Sequence, residues 1–187
     1  MKSVTILNGI TDDKYIEFEK NMKQFSDNCG NELSVDLFRL RDMDIKYCTG
    51  CWNCWVKTPG VCMHQDQMPD ILRSIINSDL TIFLSPVVMG FVSKHIKKIG
   101  DRMIPLVHPY IGIFNNECHH LKRYKHYPKL GLVLLKDGDN GFDLQNTDTE
   151  ILTDIYSRMA INMKSSLQFS VVTTGDVEVL KNEINSI

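Results

Sequence analysis

The chain has 187 residues, of which 43% are hydrophobic, and its formal net charge is −2. This length suits one domain with a substantial core, so we expect residues 1–187 to form a single unit. A near-neutral charge argues against nucleic acid or an anionic membrane as a partner. No apolar stretch approaches the ~18 residues that a membrane helix needs, and no signal-peptide cleavage site is visible, so we expect a soluble, cytoplasmic protein.

The first half of the chain alternates predicted strands and helices. Short apolar or alternating runs predict strands over residues 4–7, 33–40 and 80–84, and the continuous run at 80–84 is typical of a central parallel strand covered on both faces. Apolar side chains at helical intervals predict amphipathic helices over residues 13–27 and 68–76.

The second half continues this alternation. The predicted elements are a helix over 93–103, a long irregular connection over 105–128, a strand over 130–135, a loop over 136–147 that contains Gly138 and Gly141, a helix marked by Ile151, Ile155, Met159 and Met163, a strand over 169–173 and a final helix after Asp176. Five strands interleaved with helices imply a parallel sheet with helices on both faces. Such sheets bind ligands beyond the carboxyl ends of their strands.

Four cysteines lie within fifteen residues in the spacing C-x2-C-x2-C-x7-C; they are Cys48, Cys51, Cys54 and Cys62. Thiolates at this spacing on a turning loop can converge on one centre, as a cubane iron–sulfur cluster requires. Trp52, Trp55 and the turn at Pro59-Gly60 are expected to shield that centre from water. Zinc is an alternative, although structural zinc loops usually separate two C-x2-C pairs by a longer insert. Bare or disulfide-bonded thiols are the third alternative that the spacing leaves open.

Two other groups of residues have chemical potential. Cys29 and Cys118 lie far from the motif, and we expect small buried side chains at both positions. Residues 95–126 hold five of the six histidines, and the candidates there are His119, His120, Arg123 and Tyr124. Such a group could bind metal, transfer protons or contact a nicotinamide phosphate. Adjacent histidines point in different directions on a regular backbone, so a solvated connection or a dimer contact is favoured.

Three segments within residues 44–102 carry a family resemblance. They read I-K-Y-C-T-G-C-W-N-C-W, G-V-C-M-H-Q-D-Q-M and S-P-V-V-M-G-F-V-S-K-H-I-K-K-I-G-D-R. This pattern resembles the NADPH-dependent FMN reductase and iron–sulfur flavoprotein group of the flavodoxin-like superfamily. The resemblance implies a three-layer α/β/α sandwich whose five-stranded parallel sheet has the order 2-1-3-4-5. It also implies FMN at the carboxyl edge, a [4Fe–4S] cluster on the cysteine motif, NAD(P)H as the hydride donor, and a homodimer or homotetramer.

The resemblance also assigns flavin-binding residues. It places the FMN phosphate at the first loop, near Gly9 and Thr11, and the flavin ring along a second segment formed by Ser85, Pro86, Val87, Val88, Met89 and Gly90. Val88 stands where relatives usually have an aromatic residue. Asp101 and Arg102 are expected to form a structural ion pair or a helix-end contact.

The first loop departs from the family pattern. Ile10 replaces a serine, Asp12 occupies the cationic position, and Asp13 adds a second negative charge. At ~4 Å two like charges repel by about 4 kcal/mol at an effective dielectric constant of 20, so we expect weak FMN binding through backbone donors and Lys14. An alternative is that Asp12 and Asp13 only cap the first helix. A flavin-less binding or thiol redox-sensing module is therefore the second functional hypothesis.

Overall fold

The structure is a computed structural model that describes residues 1–114, 116–136 and 146–186. The predicted loop glycines Gly138 and Gly141 lie outside these residues. The strands are β1 (Lys2–Asn8), β2 (Leu33–Arg39), β3 (Leu80–Val88), β4 (Phe91–Val92), β5 (Val107–Phe114), β6 (Glu117–Lys122), β7 (Lys129–Leu135) and β8 (Leu167–Thr173). The helices are α1 (Ile16–Asp27), α2 (Asn53–Val56), α3 (Met68–Asn77), α4 (Lys94–Arg102), α5 (Asn146–Asn162) and α6 (Val177–Asn185). None of the described helices is long and apolar enough to cross a membrane.

Five strands form the central sheet in the order β2-β1-β3-β7-β8, and all four pairings along this path are parallel. The predicted order 2-1-3-4-5 is confirmed. In the register of the sheet, Val4 of β1 lies opposite Val35 of β2 on one side and Leu80 of β3 on the other. The carboxyl ends of all five strands therefore meet at one edge, where ligands of such sheets bind.

Helices cover both faces of the sheet. One apolar core lies under α3, α4 and α5 and contains Ile75, Ile99 and Tyr156 among its buried side chains. A second core lies under α1 and α6 and contains Phe18 and Leu180. Residues 80–86 of β3 are all buried, because this strand lies at the centre of the sheet with a helical layer on each side.

The structure corrects the prediction for residues 105–128. This segment is an antiparallel hairpin of β5 and β6, in which Gly112 pairs with His119 and Phe114 pairs with Glu117. Its Pro, His and Tyr residues hid the alternation that marks a strand, and its outer side chains are exposed, Ile113 at 82%.

The helix marked by Ile151 and Ile155 is present as α5, although both side chains are exposed and its core face consists of Leu152, Tyr156 and Ala160, one residue further along. The prediction for two cysteines needs correction. Cys118 is exposed and Cys29 is only half-buried, so neither is the buried side chain that we predicted. Cys118 lies on β6 of the hairpin, where successive side chains point to opposite faces and His119 takes the buried one.

Candidate functional site

The segment that carries the four cysteines, residues 40–67, connects β2 to α3 at the carboxyl edge of the sheet. We call it the cysteine segment. Its chain turns sharply, because Gly50 and Trp52 both adopt left-handed backbone conformations, with φ of 64° and 60°. The single turn of α2 follows directly and carries Cys54. Two left-handed residues within three positions reverse the chain around the motif and bring its cysteines together.

The four cysteines line one small cavity of about 40 Å³. Cys48 and Cys51 are exposed, Cys54 and Cys62 are half-buried, and all are free thiols. Burial raises the pKa of the Cys54 thiol, and the neighbouring sulfurs of Cys62, Cys51 and Cys48 raise it further. Hydrogen bonding from the backbone of Asn53 lowers the pKa of Cys51. The four side chains therefore border one small space, and their joint binding of a cluster stays a prediction.

A buried ion pair supports the loop from below. Arg102 at the end of α4 contacts Asp66 with 2.8 Å between Nη1 and Oδ2, and both side chains are almost completely buried. Burial alone would raise the pKa of Asp66, but hydrogen bonds from Arg102 and from the backbone N–H groups of Lys46 and Met68 hold it below its usual value. Asp101 instead pairs with Lys97 on the exposed face of α4. The predicted structural role of Arg102 is thus a contact with the cysteine segment.

The two tryptophans of the motif have different environments. Trp52 lines the cavity but is 56% exposed, so it shields only one side. The ring of Trp55 packs against Trp52 with centroids 4.9 Å apart, and its indole N–H donates to the carbonyls of Ile104 and Val107 at 3.0 Å. Pro59 and Gly60 do not line the cavity. Trp55 therefore anchors the motif, while the predicted shield is incomplete.

His64 also lines the cavity, although it was not predicted from the sequence. It lines the same space as the cysteines, and its Nε2 is buried without a hydrogen-bond partner among the described residues. The sequence could have indicated this role, because His64 lies only two residues after Cys62.

The metal alternatives receive no support from side-chain positions. Within residues 1–114, 116–136 and 146–186, no group of three or more His, Cys, Asp and Glu side chains could hold a single metal ion. This applies to zinc at the cysteine motif and to the histidines of the hairpin. His119 is buried and contacts Glu117 at 3.0 Å, whereas His120 faces Trp55 with ring centroids 5.0 Å apart. The two adjacent histidines point in different directions, as predicted.

Arg39 at the end of β2 and Arg41 just after it partly neutralise the first loop. Arg41 contacts Asp13 at 2.9 Å and the buried Glu19 at 2.7 Å, and Arg39 also reaches Glu19 at 3.1 Å. Neither cation was predicted from the sequence, because both are distant from the first loop along the chain. The predicted strand order could have indicated that Arg39 and Arg41 lie near the first loop, because it places the carboxyl end of β2 beside that of β1. Asp13 is therefore paired, and the repulsion predicted from it alone is partly offset.

The first loop, which follows β1, differs from the predictions in two respects. The N–H of Gly9 donates to Leu84 at 2.8 Å, so it cannot serve a ligand, and a Cβ on Gly9 would lie 2.3 Å from Ile96. Asp12 accepts from the N–H of Lys14, and α1 has no side-chain cap, so the acidic residues do not cap the first helix. In the described part of the chain, the N–H groups of Thr11, Asp12 and Asp13 make no hydrogen bond.

The segment predicted to lie along the flavin is a hairpin rather than a loop. Strand β3 continues through Val88 and pairs with β4 across Met89 and Gly90, which both have positive φ (52° and 75°), the geometry of a tight two-residue turn. Val88 and Met89 are exposed at 47% and 83%. Ser85 is buried, accepts from the N–H of Ser93 at 2.7 Å and donates to the carbonyl of Pro86. Val88 and Met89 are the exposed side chains of this segment, whereas Val87 and Gly90 are half-buried and Ser85 and Pro86 are buried.

Comparison with known proteins gives two sequence relatives. The chain is 37% identical over 82 residues to an iron–sulfur flavoprotein of Archaeoglobus fulgidus, and the match covers 44% of this chain and 36% of the relative. It is 34% identical over 74 residues to an iron–sulfur flavoprotein of Methanocaldococcus jannaschii, covering 40% of this chain and 37% of the relative. The match thus spans little more than a third of each relative. No family model matches the chain.

Solved structures share the fold over the full length of the chain. An FMN-dependent NADH-azoreductase from Bacillus anthracis, solved with FMN, aligns with a TM-score of 0.62 at 14% identity and covers 100% of this chain and 95% of its own. A putative quinone reductase from Klebsiella pneumoniae aligns with a TM-score of 0.64 at 10% identity and covers 100% and 83%. At this identity the alignments show the fold alone.

The chain resembles the iron–sulfur flavoprotein group of the flavodoxin-like superfamily. The resemblance predicted from residues 44–102 is confirmed, and so is the flavodoxin-like α/β/α sandwich. This chain carries four of its cysteines in one compact motif beside the carboxyl edge of the sheet.

Proposed function

We propose that the chain is a flavin-dependent oxidoreductase that transfers electrons from NAD(P)H through FMN and a [4Fe–4S] cluster to an acceptor. The observation that carries this proposal is that Cys48, Cys51, Cys54 and Cys62 line one cavity at the edge of the sheet where flavodoxin-like proteins bind ligands. The names of the two sequence relatives support it. We also propose that residues 1–187 act as one domain in the cytoplasm and form a homo-oligomer.

The donor set suits an iron–sulfur cluster. Four free thiols around one space match the four-thiolate ligation of a cubane, and the lowered pKa of Cys51 raises the fraction of its thiolate, the form that binds iron. The cavity of about 40 Å³ is little larger than the volume of one water molecule. The cluster therefore requires an outward movement of the exposed segment that carries Cys48 and Cys51. Open space beyond Gly50 permits this movement, since a Cβ there would meet nothing within 4 Å.

The β3–β4 turn suits the flavin ring of FMN better than the first loop suits its phosphate. The exposed apolar pair Val88 and Met89 offers a surface for an isoalloxazine ring, and Gly90 supplies the positive φ of the turn that presents this pair. The unpaired N–H groups of residues 11–13 can receive phosphate oxygens. Asp12 and Asp13 disfavour a dianion, while Arg41 attracts it.

Bound FMN would supply two-electron chemistry toward NAD(P)H and one-electron chemistry toward the cluster. The chain itself provides positions and charges. Arg41 and Arg39 hold the first loop against β2, the β3–β4 turn presents an apolar face, and the Arg102–Asp66 pair fixes the base of the cysteine segment. Trp55 links the same segment to the β5–β6 hairpin.

A second candidate function is a thiol-based redox module without flavin. The charge network around Asp13, Glu19 and Arg41 favours it, because these side chains already satisfy one another without a phosphate. Free thiols at Cys48 and Cys51 are exposed and could then react directly.

The visible spectrum of protein purified without oxygen separates the two candidates. The oxidoreductase is expected to show flavin bands together with a broad cluster shoulder, or to gain the flavin bands when FMN is added. A colourless protein that remains colourless after reconstitution with FMN, iron and sulfide would exclude the oxidoreductase and leave the thiol module.

A further inference from the structure

A cleft of about 560 Å³ lies beside the cysteine cavity, on the side of α3. Its buried end includes Met68, Arg102 and Leu106, and its opening includes the exposed side chain of Val61. The volume lies within the range of about 300–1,000 Å³ that is typical of small-molecule sites. None of the phosphate-loop or flavin-ring residues lines this cleft.

Cys62 lines both the cleft and the cysteine cavity. It therefore forms part of the wall between them. A molecule in the cleft would lie against the same residue that closes the cysteine motif, which places the cleft next to the chemistry of the site.

The lining of the cleft is apolar, and its charged side chains are cationic, although both arginines also pair with carboxylates outside the lining. The α3 wall presents Leu72 and Ile76, and no Asp or Glu is among the lining residues, whereas Arg73, Arg102 and His126 are. Asp66 and Asp70, which pair with Arg102 and Arg73, lie outside the lining.

One buried donor in the lining has no acceptor. The Nη1 and Nη2 atoms of Arg102 bond to Asp66 and to the carbonyl of Lys46, but Nε is buried and has no partner among the described residues. A buried N–H without an acceptor costs about 1–3 kcal/mol. Nε has almost no accessible surface, so an oxygen atom of a bound molecule would remove this cost only after a small movement of the lining.

We propose that this cleft binds a small aromatic anion, with its ring between α3 and residues 60–62 and its carboxylate or sulfonate group directed toward the arginines. The apolar walls select the ring, and the absence of acidic lining residues together with the unsatisfied donor selects the anion. The inference concerns binding only, so it does not depend on the proposed flavin and cluster chemistry.

Isothermal titration of the full chain with 2-naphthoate tests the inference. We expect one site with a Kd on the order of 0.1 mM, a modest affinity for so small a ligand. The neutral analogue 2-naphthamide should bind at least about tenfold more weakly, because it lacks the charge. Failure to detect saturable binding of 2-naphthoate, or equal affinity for the amide, would overturn the inference.

Two surface variants locate the site. Arg73→Glu, at a side chain that is 69% exposed, should weaken 2-naphthoate by about tenfold through charge reversal. Val61→Trp, at a side chain that is 61% exposed, should abolish binding by filling the opening. Lys20→Glu makes the same charge change on α1, at a 64% exposed side chain, and should alter the affinity less than twofold if the effect is local. Unchanged affinity in both cleft variants, or an equal loss in Lys20→Glu, would place any binding elsewhere and contradict the inference.

Discussion

Arg102 and Asp66 close the base of the cysteine segment. Asp66 lies four residues after Cys62, and it accepts hydrogen bonds from Arg102 and from the N–H of Lys46, which lies two residues before Cys48. Arg102 in turn donates to the carbonyl of Lys46 at 2.7 Å. The two ends of the segment are thus joined to each other and to the end of α4. This arrangement leaves the exposed part around Gly50 free to adapt while its base stays fixed.

Removal of the arginine should destabilise the protein strongly. Arg102→Met leaves the Asp66 carboxylate buried without its cation, which costs about 3–5 kcal/mol in the free energy of unfolding. Lys97→Met breaks the exposed Lys97–Asp101 pair on the same helix and should cost less than about 1 kcal/mol. Urea denaturation of both variants measures the difference. Equal losses would show that the buried pair has no special role.

The same pair predicts a dependence of stability on pH. The pKa of Asp66 in the folded chain is lowered from its ordinary value of 3.8, so its contribution is present above that value and is lost as the pH falls through the lower folded-state value. Asp66→Asn lacks this contribution. The gap in unfolding free energy between the native chain and the variant should therefore narrow as the pH falls below the ordinary value of 3.8. A gap that stays constant across this range would contradict the assignment.

The left-handed turn at Gly50 makes a backbone prediction. A Cβ there meets no atom within 4 Å, so Gly50→Ala adds no clash, but its φ of 64° costs about 1–2 kcal/mol for a residue with a side chain. Gly30→Ala is the matched control, since Gly30 is equally open and lacks a positive φ. Thermal unfolding should show a loss for the first variant and no loss for the second. A similar Tm for both would mean that Gly50 does not hold this turn.

Charge at the first loop controls the predicted affinity for FMN. The double variant Asp12→Arg with Asp13→Ser removes two carboxylates near residues 11–13 and frees Arg41, and it should tighten FMN binding by about a decade or more. Asp154→Arg, on the exposed face of α5, is a control for net charge. Fluorescence titration with FMN provides the measurement. No change in the double variant would show that this loop is not the phosphate site.

The sequence was sufficient to predict the sheet and the position of the cysteines. The apolar run at 80–84 and the alternation at 33–40 carry strong strand signals, and residues 44–102 carried the family resemblance. The β5–β6 hairpin was not predicted from the sequence because it packs through few apolar positions, as the exposure of Ile113 shows. The pairing of Asp13 with Arg41 escaped because it depends on the adjacency of β1 and β2, which brings together residues 28 positions apart. Ion pairs of this kind depend on which strands are neighbours in the fold, and the local sequence around either residue does not reveal them.

Iron and sulfide analysis after anaerobic reconstitution tests the central claim that the four cysteines form one cluster site. The native chain and the Cys118→Ser control, whose cysteine lies on the hairpin, should each retain on the order of four iron and four sulfide per chain. Cys54→Ser, which removes a half-buried thiol of the cavity, should lose most of both. A native chain that retains no sulfide, or a Cys54→Ser variant that retains as much iron as the control, would contradict the account.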